Sequence, residues 1–570
     1  MSADLVPWQE QAETSELIDA IEAWGHDRSE FLDAAVARLP ETLRINPLRC
    51  DAAWTAERLV EMGGVQIDWP NINAWRMPWQ RGRAPPEFDE LYQALHETGR
   101  TTRQEAASMI PPLLLGVDAG DMVLDMCAAP GSKATQIAEI LGGLGVIIAN
   151  EKSPQRSNTL VTNSHRLALP NIVVTRHDGR NIPRPPLPGF DAVLVDAPCS
   201  GSGTTRKNPE VWGKWKEVNG RNLHKLQVEL VLKAAGMVRP GGCVVYSTCS
   251  LDPVENEAVV LEVLRQNPWL KVESINVNLL PKNTSPGLSH WPDLSGGEAR
   301  VSMLPPAEPE LVKAAERCVR IWPDDDDSGL LGGFFFAVLR QTDSTEIDST
   351  ENKTTSPENE WARCLRRHSL DGEVVPPSGR LGPHDIRAAE ADMSVGLLDM
   401  LGVPTDSGDL WRRGRRASWS SVDVSRLVFD AKWPGKKGRW HAGGQWRPLS
   451  VTLAGVPAVR VRGERIERIT SQALHTLPLA TGGEGRRVLE VCADVAKRII
   501  ASNRLPLDEV DERLHEMPGG GLMLLAEVDG IERRIPIWKG EWVTPMWRAE
   551  EEVVLRVALG LPPKSDFEEE

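Results

Sequence analysis

No apolar run in the 570 residues approaches the roughly 18 to 20 that a membrane-spanning helix requires. No membrane association is therefore expected. The first ten residues carry Asp4 and Glu10 and lack a basic stretch followed by an apolar one, so no secretory signal is read there and an intracellular location, cytoplasmic or nuclear, is expected. The eight cysteines, Cys50, Cys127, Cys199, Cys243, Cys249, Cys318, Cys364 and Cys492, form no CxxC pair and no Cys/His ligand spacing. That excludes the common structural zinc patterns, and no metal is expected. Scattered thiols in a reducing compartment mostly behave as small buried hydrophobes, so each needs a specific reason before it is given chemistry. Neither GxGxxG nor the GxxxxGK[ST] phosphate loop occurs, which points away from dinucleotides and ATP. No internal repeat at a fixed period is found.

An overall excess of basic charge is also missing: the formal net charge is -16 and the pI is near 5.3. Taken alone this argues against a nucleic-acid partner. The distribution says otherwise. Between residues 200 and 240 stand Arg206, Lys207, Lys214, Lys216, Arg221, Lys225, Lys233 and Arg239 against only Glu210, Glu217 and Glu229. A second stretch, 411–468, interleaves Arg412, Arg413, Arg415, Arg416, Lys432, Lys436, Lys437, Arg439 and Arg447 with Trp419, Trp433, Trp440 and Trp446. Basic residues among aromatics suit RNA, although a solvated surface over core tryptophans reads equally well.

At this length two or three domains are expected. Apolar positions recur at helical spacing over 15–24 and 29–39, and short apolar runs follow, so 1–98 reads as a small α+β module. From about 118 to 269 short apolar strands alternate with helices, the pattern of a parallel sheet, with strands expected at 122–126, 145–149, 172–175, 192–195 and 243–247 and a last one at 334–339. The fold class is thus α/β with a Rossmann-like sheet, its catalytic domain spanning 99–340. The run 341–360 is almost devoid of apolar residues and reads as a linker. A separate C-terminal region is expected at 361–561 and an acidic tail at 562–570.

Ligands of open parallel sheets sit beyond the carboxyl ends of the strands. After the first expected strand comes a turn of small residues, Cys127, Ala128, Ala129, Pro130, Gly131, Ser132 and Lys133, that lets backbone approach a ligand. Glu151 follows the second strand and can accept both hydroxyls of a ribose. Asp178 follows the third, suitably placed for an adenine amino group, and Asp196 follows the fourth. Singly, such acids often only cap helices. Together, in a sheet without phosphate motifs, they point to S-adenosylmethionine. Two cysteines also follow strands in polar turns, Cys199 in Asp-Ala-Pro-Cys-Ser-Gly and Cys249 in Ser-Thr-Cys-Ser. Methylation of cytosine at C5 needs a nucleophile at C6, which a thiolate supplies, and a proton donor near N3, for which Asp196 is placed. These residues alone do not say which thiol attacks.

The runs QEAASMIPPLLL from Gln104, LDMCAAPGSKATQ from Leu124, FDAVLVDAPCSGSGTTRKNPEVW from Phe190, GGCVVYSTCSLDPVENEAVV from Gly241 and WPDDDDSGLLGGFFFAVL from Trp322 resemble the Sun-type family of RNA cytosine-5 methyltransferases, nearest its transfer-RNA branch. The resemblance covers about 44–339. It implies that Cys127 to Lys133, Glu151, Asp178 and Asp196 contact S-adenosylmethionine, that Cys249 is the nucleophile, that Cys199 assists release, that Lys133 orients the pocket and that Pro198 shapes its turn. Glu151 departs from the aspartate common in the family, and the acidic insert Asp324 to Asp327 is unusual. Beyond residue 361 the chain resembles, weakly, a PUA-like RNA-binding module. The implied partner is RNA, transfer RNA first; a ribosomal-RNA enzyme of the same family and a catalytically silent RNA-binding scaffold are the alternatives. No protein partner follows from the residues.

Overall fold

The computed structural model describes residues 6–183, 189–276, 284–323, 329–341, 407–424, 449–462, 465–470 and 487–563, with a few isolated positions besides. The expected linker beyond Gln341, the insert Asp324 to Asp327 and most of the acidic tail lie outside the described residues. Among the described residues, no helix is long and apolar enough to cross a membrane.

The centre is a sheet whose core strands are β1 (Met122–Asp125), β2 (Val146–Asn150), β3 (Ile172–Thr175), β4 (Phe190–Asp196), β5 (Val238–Thr248), β6 (Val319–Ile321) and β7 (Phe334–Gln341). Their order is β6-β7-β5-β4-β1-β2-β3. β1 to β5 run parallel, and β7 is antiparallel to both β5 and β6. The runs Met-Val-Leu-Asp, Val-Ile-Ile-Ala-Asn and Ile-Val-Val-Thr are buried along their whole length, because a parallel sheet covered on both faces leaves no strand position for solvent. Flanking helices include α1 (Ala106–Leu114), α2 (Ser132–Ile140), α3 (Pro154–Leu167), α4 (Glu217–Ala235) and α5 (Glu257–Gln266). Neighbouring strands leave β1 toward β2 on one side and β4 on the other. A crevice opens there above the strand ends, where such sheets bind ligands.

The expected 1–98 module is two bodies. Helices Val6–Glu13, Glu16–Ala23 and Arg28–Val36 bury Leu17, Ile21 and Phe31 against one face of the central sheet, in the cluster that holds Trp212 and Trp322. Strands Pro40–Ile45, Val65–Ile67, Ala74–Gln80 and Thr101–Arg103 form their own sheet, with Leu43, Trp54, Met77 and Leu95 beneath it. The strand 101–103 completes that sheet, so its boundary falls beyond residue 98. Arg44, fully buried on this sheet, crosses to α2, where it donates to Glu139 at 2.9 Å and to Thr135 at 2.6 Å.

The C-terminal region is less separate than its composition suggests. Strand Val451–Ala454 pairs antiparallel with β3 and covers what would be an open sheet edge. Helix Ala549–Ala558 places Val554 and Ala558 in the core of the N-terminal sheet, and Arg100 there forms a buried pair with Glu551 at 2.7 Å. Within 411–468, Trp411 and Trp419 are core residues, while Arg413, Arg415 and Arg416 are exposed. Lys432, Lys436, Lys437, Arg439, Trp446 and Arg447 lie outside the described residues, and nothing is described of the Trp433 and Trp440 side chains.

Candidate active site

The turn after β1 is tight enough to require glycine. Gly131 has φ +113°, a conformation that L side chains rarely adopt, and a Cβ there would stand 2.9 Å from Leu160 Cδ1 of α3. α2 begins at Ser132 immediately after it, so the unpaired N–H groups of its first turn face the crevice. Arg156 and Asn163 of α3 hold the carbonyls of Ala129 and Pro130 at 2.6 and 2.8 Å and so fix the loop from the other side.

Glu151 and Asp178 stand where the sequence puts them, after β2 and β3. Glu151 is buried, accepts from the Ser153 N–H at 2.7 Å and faces Arg156 at 3.4 Å. Asp178 accepts from Lys152 at 2.7 Å and from Arg180 at 2.8 Å. The hydrogen bond from Arg180, with Lys152 beside it, holds its carboxyl below the usual carboxylate range. Asn150 ties the two strand ends together by donating to the carbonyls of Met126 and His177, both at 3.0 Å. Asp125, at the end of β1, is buried, and neither of its carboxyl oxygens accepts a hydrogen bond of normal geometry, although the Cys127 N–H faces it. A loop open to backbone contact, a ribose-reaching acid and a buried carboxyl without a full set of partners fit an adenosine-bearing cofactor with a charged amino-acid end.

Across the crevice the turns after β4 and β5 bring the two candidate cysteines together. Cys199 Sγ and Cys249 Sγ are 3.3 Å apart, both half-buried. Hydrogen bonding to Cys249, then burial, pushes the Cys199 thiol well above its ordinary range. Asp196 bridges to the cofactor side. Lys133 donates to its Oδ2 at 2.7 Å and Ser247 to its Oδ1 at 2.8 Å. Both Asp196 oxygens therefore act as acceptors, and the carboxyl that the sequence offered as an acid is paired with the Lys133 ammonium. Burial alone would depress the Lys133 ammonium, but Asp196, together with the charge of Cys249 in its thiolate form, outweighs it and holds the ammonium above its ordinary value. Lys133 thus sits within electrostatic reach of one candidate nucleophile.

What holds the two cysteine turns in register was not legible in the sequence. Glu255, buried at the start of the chain into α5, accepts from the Ser200 N–H at 2.8 Å, from Ser250 Oγ at 2.7 Å and from Gln227 Nε2 at 3.0 Å, and also from the Ser200 hydroxyl. Ser200 follows one cysteine and Ser250 the other. Gln227 of α4 donates in addition to the Pro198 carbonyl at 2.9 Å, which fixes the turn that Pro198 shapes. The Gly203 N–H donates to the Cys249 carbonyl at 2.9 Å, and a Cβ on Gly203 would fall 2.3 Å from the Gly333 carbonyl oxygen. Glu255 lies in the run Asp-Pro-Val-Glu-Asn-Glu, but nothing in that run shows a link to a turn 55 positions earlier.

Of the basic run 206–225, Arg206 is not a surface residue. It is buried and donates to the carbonyls of Ala37, Leu331 and Gly329 at 2.9, 2.7 and 2.9 Å. Three backbone acceptors, one of them at the buried Leu331, satisfy the guanidinium and explain why an arginine is retained in the interior. Lys214 and Lys225 are exposed. Lys207 joins Arg81, Arg103 and Arg166 around a cleft of about 250 Å³ bordered by Pro130 to Ser132.

The 16S rRNA methyltransferase RsmB/F family model matches residues 112–340. The multisite-specific tRNA:(cytosine-C(5))-methyltransferase of Saccharomyces cerevisiae is 34% identical over 379 residues, 58% of this chain and 55% of that protein. The trm4b protein of Schizosaccharomyces pombe, of the same description, is 33% identical over 52% of this chain and 49% of its own length. The tRNA (cytosine(49)-C(5))-methyltransferase of Pyrococcus abyssi is 36% identical, over 55% of this chain and 92% of that protein. The chain thus spans about half the length of the two yeast relatives. A crystal structure of a methyltransferase homolog from Pyrococcus horikoshii is 26% identical, covering 60% of this chain and all of that one, with a TM-score of 0.45.

Proposed function

Because the chain belongs to the RsmB/F (Sun-type) family of RNA cytosine-5 methyltransferases, we propose that it methylates C5 of cytosine in RNA, with transfer RNA as substrate, through a covalent Cys249 adduct. The observation that carries this reading is the meeting of two thiols, 3.3 Å apart, with the Lys133–Asp196 pair at the mouth of the β1 loop. A scaffold that only binds RNA has no use for that arrangement.

On this reading Cys127 to Lys133, Glu151, Asp178 and Asp196 hold S-adenosylmethionine, which supplies an electrophilic methyl group when bound. Cys249 Sγ, as the thiolate facing Lys133, adds to C6 of the base. The electron pair displaced from the C5–C6 bond is drawn toward N3, where Asp196, oriented by Lys133, serves as the acid and the pair lends a proton. Once C5 is methylated, N3 returns its proton to the Lys133–Asp196 pair, solvent water takes the C5 proton, the electron pair of that C–H bond restores the C5–C6 double bond, and the Sγ–C6 bond breaks with its electron pair returning to Cys249. Cys199, kept as a thiol beside the departing sulfur, assists that release. Arg81, Arg103 and Lys207 border the approach to the β1 loop and suit RNA phosphates. We assign catalysis to the domain expected at 99–340, less the strand 101–103 that completes the N-terminal sheet, and RNA positioning to the N-terminal module and to the C-terminal region 361–561, joined by 341–360. We place the enzyme in the cytoplasm, with the nucleus as the alternative.

Transfer RNA is favoured by the activities for which the yeast and Pyrococcus relatives are named. Ribosomal RNA is the second reading. It is favoured by the family description and by the ribosomal RNA small subunit methyltransferase F of Enterobacter, 34% identical over 67% of that protein. Incubation with labelled S-adenosylmethionine and either bulk transfer RNA or bulk ribosomal RNA, followed by mapping of 5-methylcytosine, tests the proposal. Label in transfer RNA alone is expected; label only in ribosomal RNA replaces the substrate, and label in neither overturns the function.

A further inference from the structure

The far edge of the central sheet carries a basic cleft that the catalytic reading does not use. Strands Gly408–Arg413 and Arg416–Ser421 form a hairpin in which Arg413 pairs with Arg416 across a two-residue turn. Strand Val456–Arg462 lies beside the hairpin. Together with α3 and the segment 545–548 they enclose a cleft of about 820 Å³. Its walls present Arg413, Arg415, Arg416 and Arg460 from the sheet, with Arg548 and Trp547 from the C-terminal segment. All five arginines are exposed. Among the described residues that line it, none is Asp or Glu. In a chain whose formal net charge is -16, an acid-free wall of guanidiniums is a local reversal of sign.

The wall is built rather than incidental. Arg413 is anchored by a hydrogen bond to the Thr452 carbonyl at 2.8 Å, on the strand that pairs with β3. His165 of α3 lines the same cleft, and burial, with Arg416 beside it, depresses its imidazolium to about 4, so at neutral pH it adds no charge. Guanidiniums on adjacent strands and on the opposite wall suit a succession of phosphates better than a single anion, and Trp547 offers a face on which a base can stack.

We infer that this cleft holds the sugar-phosphate backbone of the RNA substrate at a point remote from the target cytosine. The inference rests on the RNA-methylating reading. Counting strands from β4 through β1, β2 and β3 to Val451–Ala454 puts the cleft roughly 20 Å from the thiols, at about 4.8 Å per strand. A folded RNA can span both places, whereas a single strand of about three nucleotides at the thiols, the length chosen for the oligonucleotide below, cannot.

The test compares full-length protein with the triple variants R415A/R416A/R548A and R415K/R416K/R548K, using bulk transfer RNA and a short single-stranded cytosine-containing oligonucleotide as probes. The alanine variant should bind transfer RNA roughly tenfold to a hundredfold more weakly near 0.15 M salt, and the slope of log affinity against log salt should flatten by about 2. Its melting temperature, its affinity for S-adenosylmethionine and its methylation of the oligonucleotide should match wild type, and the lysine variant should retain most of the affinity. Unchanged transfer-RNA affinity and slope in the alanine variant, with wild type methylating RNA, overturn the cleft and leave the function standing. Weakened binding in a protein whose wild type methylates no RNA sustains the cleft and overturns the function.

Discussion

Cys199 and Cys249 face each other sulfur to sulfur at 3.3 Å, yet they arrive from different strand ends and have different surroundings. Cys199 is held as a thiol by its bond to Cys249 and by burial. The Lys133 ammonium, for its part, feels the Cys249 charge. Of the two sulfurs, Cys249 is thus the one whose charge reaches the Lys133 ammonium.

The two single mutants should separate accordingly. Cys249→Ala removes the group that adds to C6, so neither product nor a covalent protein–RNA species is expected. Cys199→Ala leaves addition possible but slows release, so a stalled adduct should accumulate. A denaturing gel with labelled RNA reads both. A slow band in Cys249→Ala but not in Cys199→Ala would reverse the assignment.

Glu255 offers a sharper test of how the thiols are kept together. Glu255→Ala leaves the Ser200 N–H without its acceptor and the Gln227 amide with the Pro198 carbonyl alone, and is expected to cost roughly 3 to 5 kcal/mol. Glu255→Gln keeps the shape and can turn its amide nitrogen toward the two hydroxyls, so about 1 to 3 kcal/mol is expected. Single-turnover methylation should fall in both variants, with S-adenosylmethionine affinity in Glu255→Gln at the wild-type level. Equal loss of cofactor binding and of methylation would mean that Glu255 supports the whole domain rather than the two turns.

The strands were legible because a parallel sheet buried on both faces demands uninterrupted apolar runs, and the acids and cysteines were legible because they follow those runs directly. Val146–Asn150 differs from the expectation by one position, and Glu151 still follows it. Glu255, Gln227 and Asn150 were not legible, because each acts on a backbone group far away in the chain. Arg206 was misread for the same reason. Its neighbours in sequence are basic, but its partners are three carbonyls contributed by two other segments. The joining of the C-terminal region to β3 and to the N-terminal sheet likewise depends on contacts between segments hundreds of residues apart.

Arg206 and Lys214 should therefore behave oppositely although both sit in the basic run. Arg206→Ala removes three hydrogen bonds, the one to the Leu331 carbonyl fully buried, and is expected to lower stability by roughly 2 to 4 kcal/mol while leaving the salt dependence of RNA binding in place. Lys214→Ala, at an exposed position, should leave the melting temperature unchanged and, if Lys214 meets a phosphate, flatten the salt slope by about 1. Thermal unfolding and a salt titration of RNA affinity on the two variants decide it. A flattened slope with an unchanged melting temperature in Arg206→Ala would show that its side chain leaves the interior to meet RNA.

Asp125 gives the fold a pH dependence of predictable sign. Burial, with Asp196 beside it, pushes its carboxyl from 3.8 up to about 7. Between these values the folded protein holds a proton that the unfolded chain has released, so unfolding gives up a proton and the contribution of this group to stability falls as pH rises from about 4 to about 7. Above pH 7 the carboxylate is ionised in both states and the contribution is flat. Three pKa units correspond to about 4 kcal/mol, an upper figure because local relaxation reduces it. Asp125→Asn keeps the shape without the charge, and the amide cannot ionise. The variant should therefore gain on wild type steadily across this interval, with its melting temperature above that of wild type at pH 8 and the gap nearly closed at pH 4. Thermal unfolding of the cofactor-free proteins at a series of pH values measures that gap. A gap that stays constant, or narrows as pH rises, would show that Asp125 is ionised in the folded protein and finds in the Cys127 N–H and its surroundings the stabilisation that burial denies it.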